Sequence, residues 1–402
     1  MAAARTRDPL EGAWLDGRYL VESKIASGGT ATVYRGLDTR LDRPVALKVM
    51  DFRYADDPQF LTRFQMEARS VARLKNPGLV AVYDQGCDGD HAFLVMELVA
   101  GGTLRELLSE RGPMPPHAVV AALRPLLGGL AAAHRVGLVH RDVKPENVLI
   151  SDEGEVKIAD FGLVRAVAEA GITSRSVILG TAAYLSPEQV RDGTADPRSD
   201  VYSTGILAFE LLTGSTPFTG DTSLSIAYQR LELDVPPPSS VIDGIPEGFD
   251  DLVVRATHRD PALRYPDALA MADEVDRLAT ELALPAFRLP TPRESALHHS
   301  ISARPVTPSA PAATGVTRRL PREPERAPEP LPSHADADTH TFDSGEFDSD
   351  EVEFAGIALS DFRWQRQRGR RAVLIWLAIV LTVTGLASSA AWTLGNNLSA
   401  LL

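Results

Sequence analysis

The chain reads HRDVKPEN at residues 140–147 and DFG at residues 160–162, and these two stretches decide its interpretation. The first holds a carboxylate, a lysine and an asparagine amide within six residues, and the second adds a carboxylate thirteen residues after the asparagine. Carboxylate and amide oxygens are ligands for a divalent cation, and a lysine beside them offsets phosphate charge. At this spacing the set predicts a site for phosphoryl transfer from ATP.

Each of the four side chains is assigned one part of that chemistry. Asp142 is expected to accept the proton of an attacking hydroxyl, and Lys144 to neutralise the transferring phosphoryl group. Asn147 and Asp160 are expected to hold the metal, with both Mg²⁺ and Mn²⁺ left open. A chance HRD tripeptide carries little information, whereas the longer motif with a correctly spaced DFG is a specific signal.

Length and composition limit the alternatives. The 402 residues exceed what one domain of this kind needs, so a second region is expected. The net charge of −13 argues against a nucleic-acid-binding surface. The single cysteine, Cys87, excludes an internal disulfide and fits a reducing compartment.

The periodicity of residues 19–282 is that of a folded α+β domain. Strands are predicted at residues 19–25, 32–36, 45–50, 80–85 and 92–97. Helices are predicted at residues 58–74, 104–110, 116–136, 201–212 and 268–282. We therefore expect a small sheet with one helix, then a larger helical lobe, with ATP in the cleft between them.

These features resemble the bacterial eukaryotic-type Ser/Thr protein kinases, in particular the membrane-anchored Pkn family of actinobacteria. The resemblance covers residues 19–282 and rests on VHRDVKPEN at 139–147 and GTAAYLSPE at 180–188. A match to one member of the family extends to TRDPL at residues 6–10 and AAWT at residues 390–393.

The resemblance implies a fold, a cofactor set and partners. The fold is the two-lobed protein kinase fold, with a small β-rich N-terminal lobe and a larger helical C-terminal lobe. ATP with Mg²⁺ or Mn²⁺ and protein substrates with Ser or Thr acceptors are implied, and Lys144 favours these acceptors over Tyr. The resemblance also implies a homodimer through the N-terminal lobe, although no residue of this chain points to such an interface.

The same resemblance assigns the nucleotide-binding residues. VALK at residues 45–48 is similar to the family's V-A-I-K strand, so Lys48 is expected to bind the α- and β-phosphates and to pair with Glu67. The phosphate-binding loop departs from G-x-G-x-x-G, because Ala26 and Ala31 replace two of its three glycines. The residues expected at the ATP site are Ile25, Ala26, Ser27, Gly28, Gly29, Val33, Ala46, Lys48, Met96, Glu97, Val99 and Leu149.

Residues 160–188 are the activation segment by the same resemblance. The segment contains the hydroxyls of Thr173, Ser174 and Ser176, and Arg141 is a cation that can bind a phosphate placed there. We expect autophosphorylation with Thr173 as the leading site. The alternative, that these are solvated loop hydroxyls, stays open.

Other residues are assigned structural roles. By the same resemblance, Glu188 and Arg264 are expected to form a buried ion pair, and Asp200 to brace the catalytic loop at residues 140–147. His140 and Phe161 are expected to pack in the regulatory spine of the kinase fold and not to contact substrate. The remaining histidines considered lack metal-ligand spacing and are expected at the surface: His134, His258, His298 and His299.

The ends of the chain differ in composition from the domain. Residues 1–18 are expected to be a tail without the apolar stretch of a signal peptide. Residues 283–371 are expected to be a disordered linker, first rich in proline, with eleven prolines in residues 285–332, then acidic, and ending in five arginines between 363 and 371.

A 23-residue stretch without charge, residues 372–394, predicts one transmembrane helix, with residues 395–402 as a short extracytoplasmic tail. The arginines on its N-terminal side place residues 1–371 in the cytoplasm by the positive-inside rule. We therefore expect a single-pass protein of the cytoplasmic membrane. A buried core helix is the alternative for this stretch.

Two other functions were weighed against an active kinase. A pseudokinase scaffold would bind nucleotide only to position partners, and the altered glycine loop is its one support. A small-molecule phosphotransferase of kinase-like fold would leave the peptide-docking segment at residues 180–188 without a purpose.

Overall fold

The structure is a computed structural model that describes residues 8–52, 58–161 and 183–302, with the residue pairs 353–354 and 357–358. The predicted phosphorylation sites Thr173, Ser174 and Ser176 lie outside the described residues, as does the predicted transmembrane helix. The two residue pairs form the short antiparallel strands Glu353–Phe354 and Ile357–Ala358.

The N-terminal lobe is an antiparallel sheet of six strands in the order β1-β2-β3-β4-β6-β5. The strands are β1 (Trp14–Leu15), β2 (Tyr19–Ser27), β3 (Ala31–Asp38), β4 (Arg43–Met50), β5 (Val82–Asp88) and β6 (His91–Met96). The helix α1 (Pro58–Ala72) supplies Phe60 and Phe64 to a core on one side of the sheet, while Tyr19 and Phe93 lie in a core on the other. Residues 45–50 of β4 are therefore all buried, because the strand is covered on both faces.

The C-terminal lobe is mainly helical and carries a small sheet on the cleft side. That sheet consists of β7 (Gly101–Thr103), β8 (Val148–Ser151) and β9 (Val156–Ile158). The helices are α2 (Leu104–Arg111), α3 (Pro116–His134), α4 (Pro187–Asp192), α5 (Pro197–Thr213), α6 (Ser223–Glu232), α7 (Glu247–Ala256), α8 (Ala268–Glu281) and α9 (Ala296–Ser302). A small β-rich lobe followed by a larger helical lobe is the predicted layout.

The helix α3 is the centre of the C-terminal lobe. Its side chains pack against α5, α8 and β9, and thirteen of its residues are buried. Within the part of the chain that the structure describes, it is the one helix long and apolar enough to cross a membrane, and 78% of its apolar window is buried in the protein. Its apolar character is therefore that of a core helix.

Two predicted domain boundaries differ from the structure. The predicted tail of residues 1–18 is wrong from residue 8 onward, because β1 pairs with β2, Leu15 is buried and Tyr34 donates a 2.9 Å hydrogen bond to Asp8. The predicted linker starts too early, because residues 283–302 pack on the folded domain and include α9, which contacts β2 and β7. Apolar side chains between the prolines, such as Phe287 and Leu289, pack against the domain, although the composition of this segment is that of a linker.

The predicted ion pair between Glu188 and Arg264 holds the first turn of α4 against the rest of the helical lobe. The guanidinium donates to both carboxylate oxygens of Glu188 at 2.8 Å, and Ser199 donates to the same carboxylate at 2.7 Å. The remaining Arg264 donors bind backbone carbonyls, and the Arg264 side chain is fully buried. Burial alone would raise the pKa of Glu188, but the hydrogen bonds from Arg264 and Ser199 outweigh it and lower the pKa to about 2.

We predict that this ion pair makes stability depend on acid pH. Because the pKa of Glu188 falls from 4.5 to about 2 on folding, the stabilisation is complete above about pH 5 and is lost as the pH falls towards 2. The free energy of unfolding should fall by about 3 kcal/mol over that range from this group. Denaturant unfolding of wild type and Glu188→Gln from pH 7 to pH 2 measures it.

The Glu188→Gln variant should be less stable at pH 7 and should show a shallower loss towards acid pH. Glu294→Gln, a change of the same kind at an exposed side chain, is the control and should follow the wild-type pH curve. Equal pH slopes for wild type and Glu188→Gln would contradict the assignment.

Candidate active site

A cavity of about 560 Å³ lies between the two lobes. It is lined by every residue expected at the ATP site from Ile25 to Leu149, and by Asp142, Lys144, Asn147 and Asp160. Of the catalytic, metal and nucleotide residues predicted from sequence, Glu67 alone is absent from this lining. The volume is within the range of about 300–1,000 Å³ typical of small-molecule sites.

The inner end of the cavity contains an ion pair between the lobes. The Lys48 ammonium on β4 lies 2.7 Å from Asp160 Oδ1, and the Lys48 side chain is buried. Burial raises the pKa of Asp160, but the Lys48 charge outweighs it and holds the pKa below its usual range. Asp160 is therefore an anion in the cleft, as a metal ligand must be.

Glu67 lies at the middle of α1, behind the sheet that carries Lys48, and is half-buried. A small void lined by Ala68 and Val71 of α1 also touches Asp160 and Phe161. The helix is thus packed next to the residues that follow β9. The pairing of Glu67 with Lys48 stays a prediction.

Asp142 is held by three hydrogen bonds from two side chains, which leave one of its carboxylate oxygens unused. Lys144 donates to Asp142 Oδ2 at 2.8 Å, and the Asn147 amide donates to the same oxygen at 3.1 Å and to the Asp142 carbonyl at 2.7 Å. Asp142 Oδ1 is buried and accepts no hydrogen bond from the described residues. A buried carboxylate oxygen without a donor is costly, so this position is suited to accept a donor from a substrate.

Asn147 uses its amide nitrogen for both of these bonds. Its amide oxygen is therefore the atom left to ligate a cation, together with the Asp160 carboxylate in the same cavity. An amide oxygen and a carboxylate suit a hard divalent cation that completes its coordination with phosphate oxygens and water. The donor set thus fits the metal that the sequence predicts.

Two residues beside the site adopt left-handed backbone conformations although neither is glycine. Arg141 has φ 71° and Asp160 has φ 68°. Such conformations cost on the order of 1–3 kcal/mol each and persist where the surrounding structure imposes them. They occur directly before the predicted proton acceptor, Asp142, and at the predicted metal ligand, Asp160.

Asp200, the fourth residue of α5, imposes the conformation at Arg141. It is fully buried and accepts 2.8 Å hydrogen bonds from the backbone N–H groups of His140 and Arg141. The His140 ring packs edge-on against Phe161 at 4.4 Å between centroids and bonds to the Ala159 carbonyl at 2.8 Å. The segments around Asp142 and Asp160 are thereby tied together.

The surface position expected for His134 is wrong. Its side chain is buried and its Nε2 lies 2.8 Å from Asp200 Oδ2. His134 ends α3, and a short turn brings the chain back to His140, so both histidines meet the same carboxylate. Sequence spacing shows no such role because the carboxylate comes from a helix 66 residues away.

Residues 96–99 join the two lobes and form the hinge, and Glu97 fixes their position. Its backbone N–H donates to the Ala81 carbonyl, and its side chain accepts hydrogen bonds from Ala81 N–H and from Lys157 on β9. The carboxylate is thus held by a lysine of the C-terminal lobe and is not available to a nucleotide.

The sequence did not predict several of the residues that line the cavity. They are Thr30, Ala31, Val80, Leu98, Gly101, Gly102, Thr103, Glu106, Glu146, Ala159, Ala296 and Leu297. Thr103 and Glu106 form a capping box at the start of α2, a pattern that the T-x-x-E spacing could have revealed. No local signal marks Ala296 and Leu297, which lie beyond the predicted domain.

Comparisons with known proteins agree with this geometry. The model of the family described as "Protein kinase domain" matches residues 19–274. The chain belongs to the protein kinase family. It is 65% identical to the Ser/Thr-protein kinase PknL of Mycobacterium tuberculosis over 408 aligned residues, which cover 100% of both chains. That match confirms the predicted resemblance to an actinobacterial kinase of the PknL type.

Other relatives match the kinase domain. The Ser/Thr-protein kinase PrkC of Bacillus subtilis is 40% identical over 266 residues, which are 66% of this chain and 41% of that one. The crystal structure of the PknI kinase domain of M. tuberculosis superposes with a TM-score of 0.54 at 27% identity, covering 69% of this chain and all of that domain. The protein is a Ser/Thr protein kinase, and the pseudokinase alternative is not favoured.

We predict that Asp200→Asn in this kinase weakens both the fold and catalysis. An amide has a single oxygen, so one buried N–H of the catalytic loop would face an NH₂ group and lose its acceptor. The free energy of unfolding should therefore fall by about 1–3 kcal/mol. Displacement of Asp142 by a fraction of an ångström to 1 Å should lower kcat by roughly 100-fold. Thermal unfolding and steady-state kinetics measure the two effects.

The matched control is Asp196→Asn on the same helix. Asp196 is the exposed N-cap of α5, and Asn caps helices as well as Asp does. It should retain both stability and kcat. An Asp200→Asn variant with wild-type values would show that the catalytic loop does not depend on this carboxylate.

Proposed function

We propose that this kinase transfers the γ-phosphoryl group of ATP to Ser and Thr hydroxyls of proteins with Asp142 as the proton acceptor. The observation that carries the proposal is the orientation of that carboxylate. Oδ2 is held by Lys144 and Asn147, whereas Oδ1 is buried and accepts no hydrogen bond from the described residues. An incoming hydroxyl that donates to Oδ1 would satisfy it and lose its proton there as the oxygen attacks phosphorus.

The other residues of the cavity bind and orient the phosphates. Lys48 and Lys144 provide positive charge at opposite ends of the reacting region, the first beside Asp160 and the second beside Asp142. Asn147 and Asp160 would hold the divalent cation, with Mg²⁺ and Mn²⁺ both open. When bound, the cation supplies charge neutralisation between phosphate groups.

We predict that Asp142→Asn abolishes phosphotransfer but retains nucleotide binding. The amide cannot accept the hydroxyl proton, so kcat should fall by about 10²- to 10⁴-fold, whereas Lys48 and the adenine site are unchanged. ADP release with a protein substrate measures the first, and fluorescence of a labelled ATP analogue the second.

The exposed Asp90 offers a control of the same chemistry, and Asp90→Asn should behave as wild type. If Asp142→Asn kept wild-type kcat, another group would have to be the proton acceptor.

Activation is proposed to proceed by autophosphorylation of the activation segment. Thr173 is the leading site, with Ser174 and Ser176 second. The support is chemical: Arg141 is adjacent to the proton acceptor, and Asp200 fixes its backbone. An arginine in that place can bind a phosphate on the segment. Incubation of the wild-type chain with ATP and a divalent cation, followed by phosphosite mapping, tests this, with Asp142→Asn as the inactive comparison.

The chain is further proposed to be anchored in the cytoplasmic membrane by residues 372–394, with residues 1–371 in the cytoplasm. The support is the uncharged stretch preceded by five arginines. Confinement to a membrane would raise the effective concentration for phosphorylation of one copy by another. The family resemblance also proposes a homodimer through the N-terminal lobe, which sedimentation equilibrium tests.

We predict that the full chain fractionates with membranes and resists extraction at alkaline pH, because about 20 apolar residues suffice to span the hydrocarbon core. A chain ending at residue 371 retains the arginines and should be soluble or released by salt, since only electrostatic attraction remains. Immunoblots of fractions from cells expressing either chain measure this. Recovery of the full chain in the soluble fraction would contradict the anchor.

A further inference from the structure

The chain reverses direction after α8 and returns along the cleft side of the domain. Ala283 adopts a left-handed conformation with φ 49°, and Leu284 N–H donates back to the Ala279 carbonyl at 2.9 Å. This is the pattern of a helix terminated by a left-handed residue, here without the usual glycine. Residues 284–302, which we call the strap, lie beyond the region matched by the family model.

The strap is fixed along α2, α3 and β8 by contacts of several kinds. Leu289 is buried in the main core of the C-terminal lobe, and Phe287 packs edge-on against His117 of α3 at 4.7 Å. The Thr291 hydroxyl donates to the Ser151 carbonyl at 2.8 Å, and Arg293 N–H donates to Glu110 at 2.8 Å. Polar and apolar anchors therefore alternate along its length.

Two glycines of the kinase domain leave the space that the strap fills. A Cβ on Gly102, in β7, would lie 2.8 Å from Ser295 Cβ and 2.9 Å from Pro292 Cγ. A Cβ on Gly154 would lie 2.3 Å from Arg288 Cγ. Real side chains do not approach this closely, so the domain surface accommodates the strap only because these positions carry no side chain.

The end of the strap reaches the nucleotide cavity. The buried Ser295 begins α9 by accepting a hydrogen bond from His298 N–H, and α9 packs against β2 and β7. Ala296 N–H donates to Glu106 Oε1 at 2.8 Å, while Glu106 Oε2 caps the start of α2. Ala296 and Leu297 thereby line the same cavity as Lys48 and Met96.

Leu297 lies at the hinge end of this cavity. The helix α9, which carries Leu297, packs against β7 (Gly101–Thr103), the strand that follows the hinge, whereas the Lys48–Asp160 pair lies at the phosphate end. The strap narrows the opening without filling it, because about 560 Å³ remains between the lobes. The strap therefore lines one side of the cavity and does not block it.

We propose that the strap is part of the nucleotide-binding site and that Leu297 supplies an apolar wall over the adenine and ribose end of a bound ATP. The kinase would then take part of its affinity for nucleotide from a segment outside the kinase domain proper. This inference rests on the proposed function, which places ATP in the cavity. It adds a binding residue and assigns no part of the chemistry to it.

The experiment compares Leu297→Ala with wild type in the full chain, purified in detergent. Removal of the apolar wall should raise the KM for ATP and the dissociation constant of a fluorescent ADP analogue together, by about 3- to 10-fold, with kcat unchanged. His299→Ala, an exposed change on the same short helix, is the control and should alter neither constant. Leu297→Met keeps the apolar volume and should restore wild-type affinity.

A readout on the unsubstituted chain guards against misfolding of a variant. Hydrogen exchange followed by mass spectrometry should show slower exchange in residues 295–302 when the ADP analogue is bound. Unchanged exchange there, or unchanged affinity in Leu297→Ala, would overturn the proposal. Tighter nucleotide binding by Leu297→Ala would also overturn it, because the strap would then be an obstruction.

The outcomes separate this inference from the proposed function. A wild-type chain that bound no nucleotide would overturn both. Normal nucleotide affinity in Leu297→Ala beside an inactive Asp142→Asn would overturn only the role of the strap. A Leu297→Ala chain with weakened binding beside a fully active Asp142→Asn would overturn only the assignment of the proton acceptor.

Discussion

The buried carboxylate of Asp200 is the interaction on which the active site depends. It accepts hydrogen bonds from two backbone N–H groups of the catalytic loop and contacts His134, so the catalytic loop and the end of α3 converge on one fully buried carboxylate of α5. A buried charge without such partners would cost several kcal/mol, whereas here each donor also fixes part of the loop. The left-handed conformation at Arg141 and the position of Asp142 both follow from it.

Two anions of the cleft have defined cationic partners. Asp160 is paired with Lys48 and Glu97 with Lys157. Asp142 differs, because Lys144 and Asn147 bind Oδ2 whereas Oδ1 is buried without a donor among the described residues. A buried acceptor of this kind is suited to a donor brought by a substrate.

The strap extends this arrangement beyond the domain that the family model recognises. Glu106 caps α2 with one oxygen and holds Ala296 with the other, so the start of a C-terminal-lobe helix also positions the segment over the cavity. The long apolar helix α3 and the core residue Leu289 connect the strap to the same packing that supports the catalytic loop. The hinge end of the cleft is thus built from residues that are nearly 200 positions apart.

The sequence by itself determined the layout of the domain and most residues of the site. The reason is that each kinase motif is a short contiguous segment, and the backbone geometry of the site fixes the spacing of its residues. The five strands β2 to β6 of the N-terminal lobe and the residues around Asp142 were therefore predictable, whereas the short strands β7 to β9 were not predicted. Tertiary structure alone decided that His134 meets Asp200 and that residues 8–18 and 283–302 join the fold. These contacts depend on burial against surfaces that are distant in sequence, such as the positions at Gly102 and Gly154, where the absence of a side chain leaves room for the strap. The composition of a proline-rich segment does not indicate whether the fold offers such a surface.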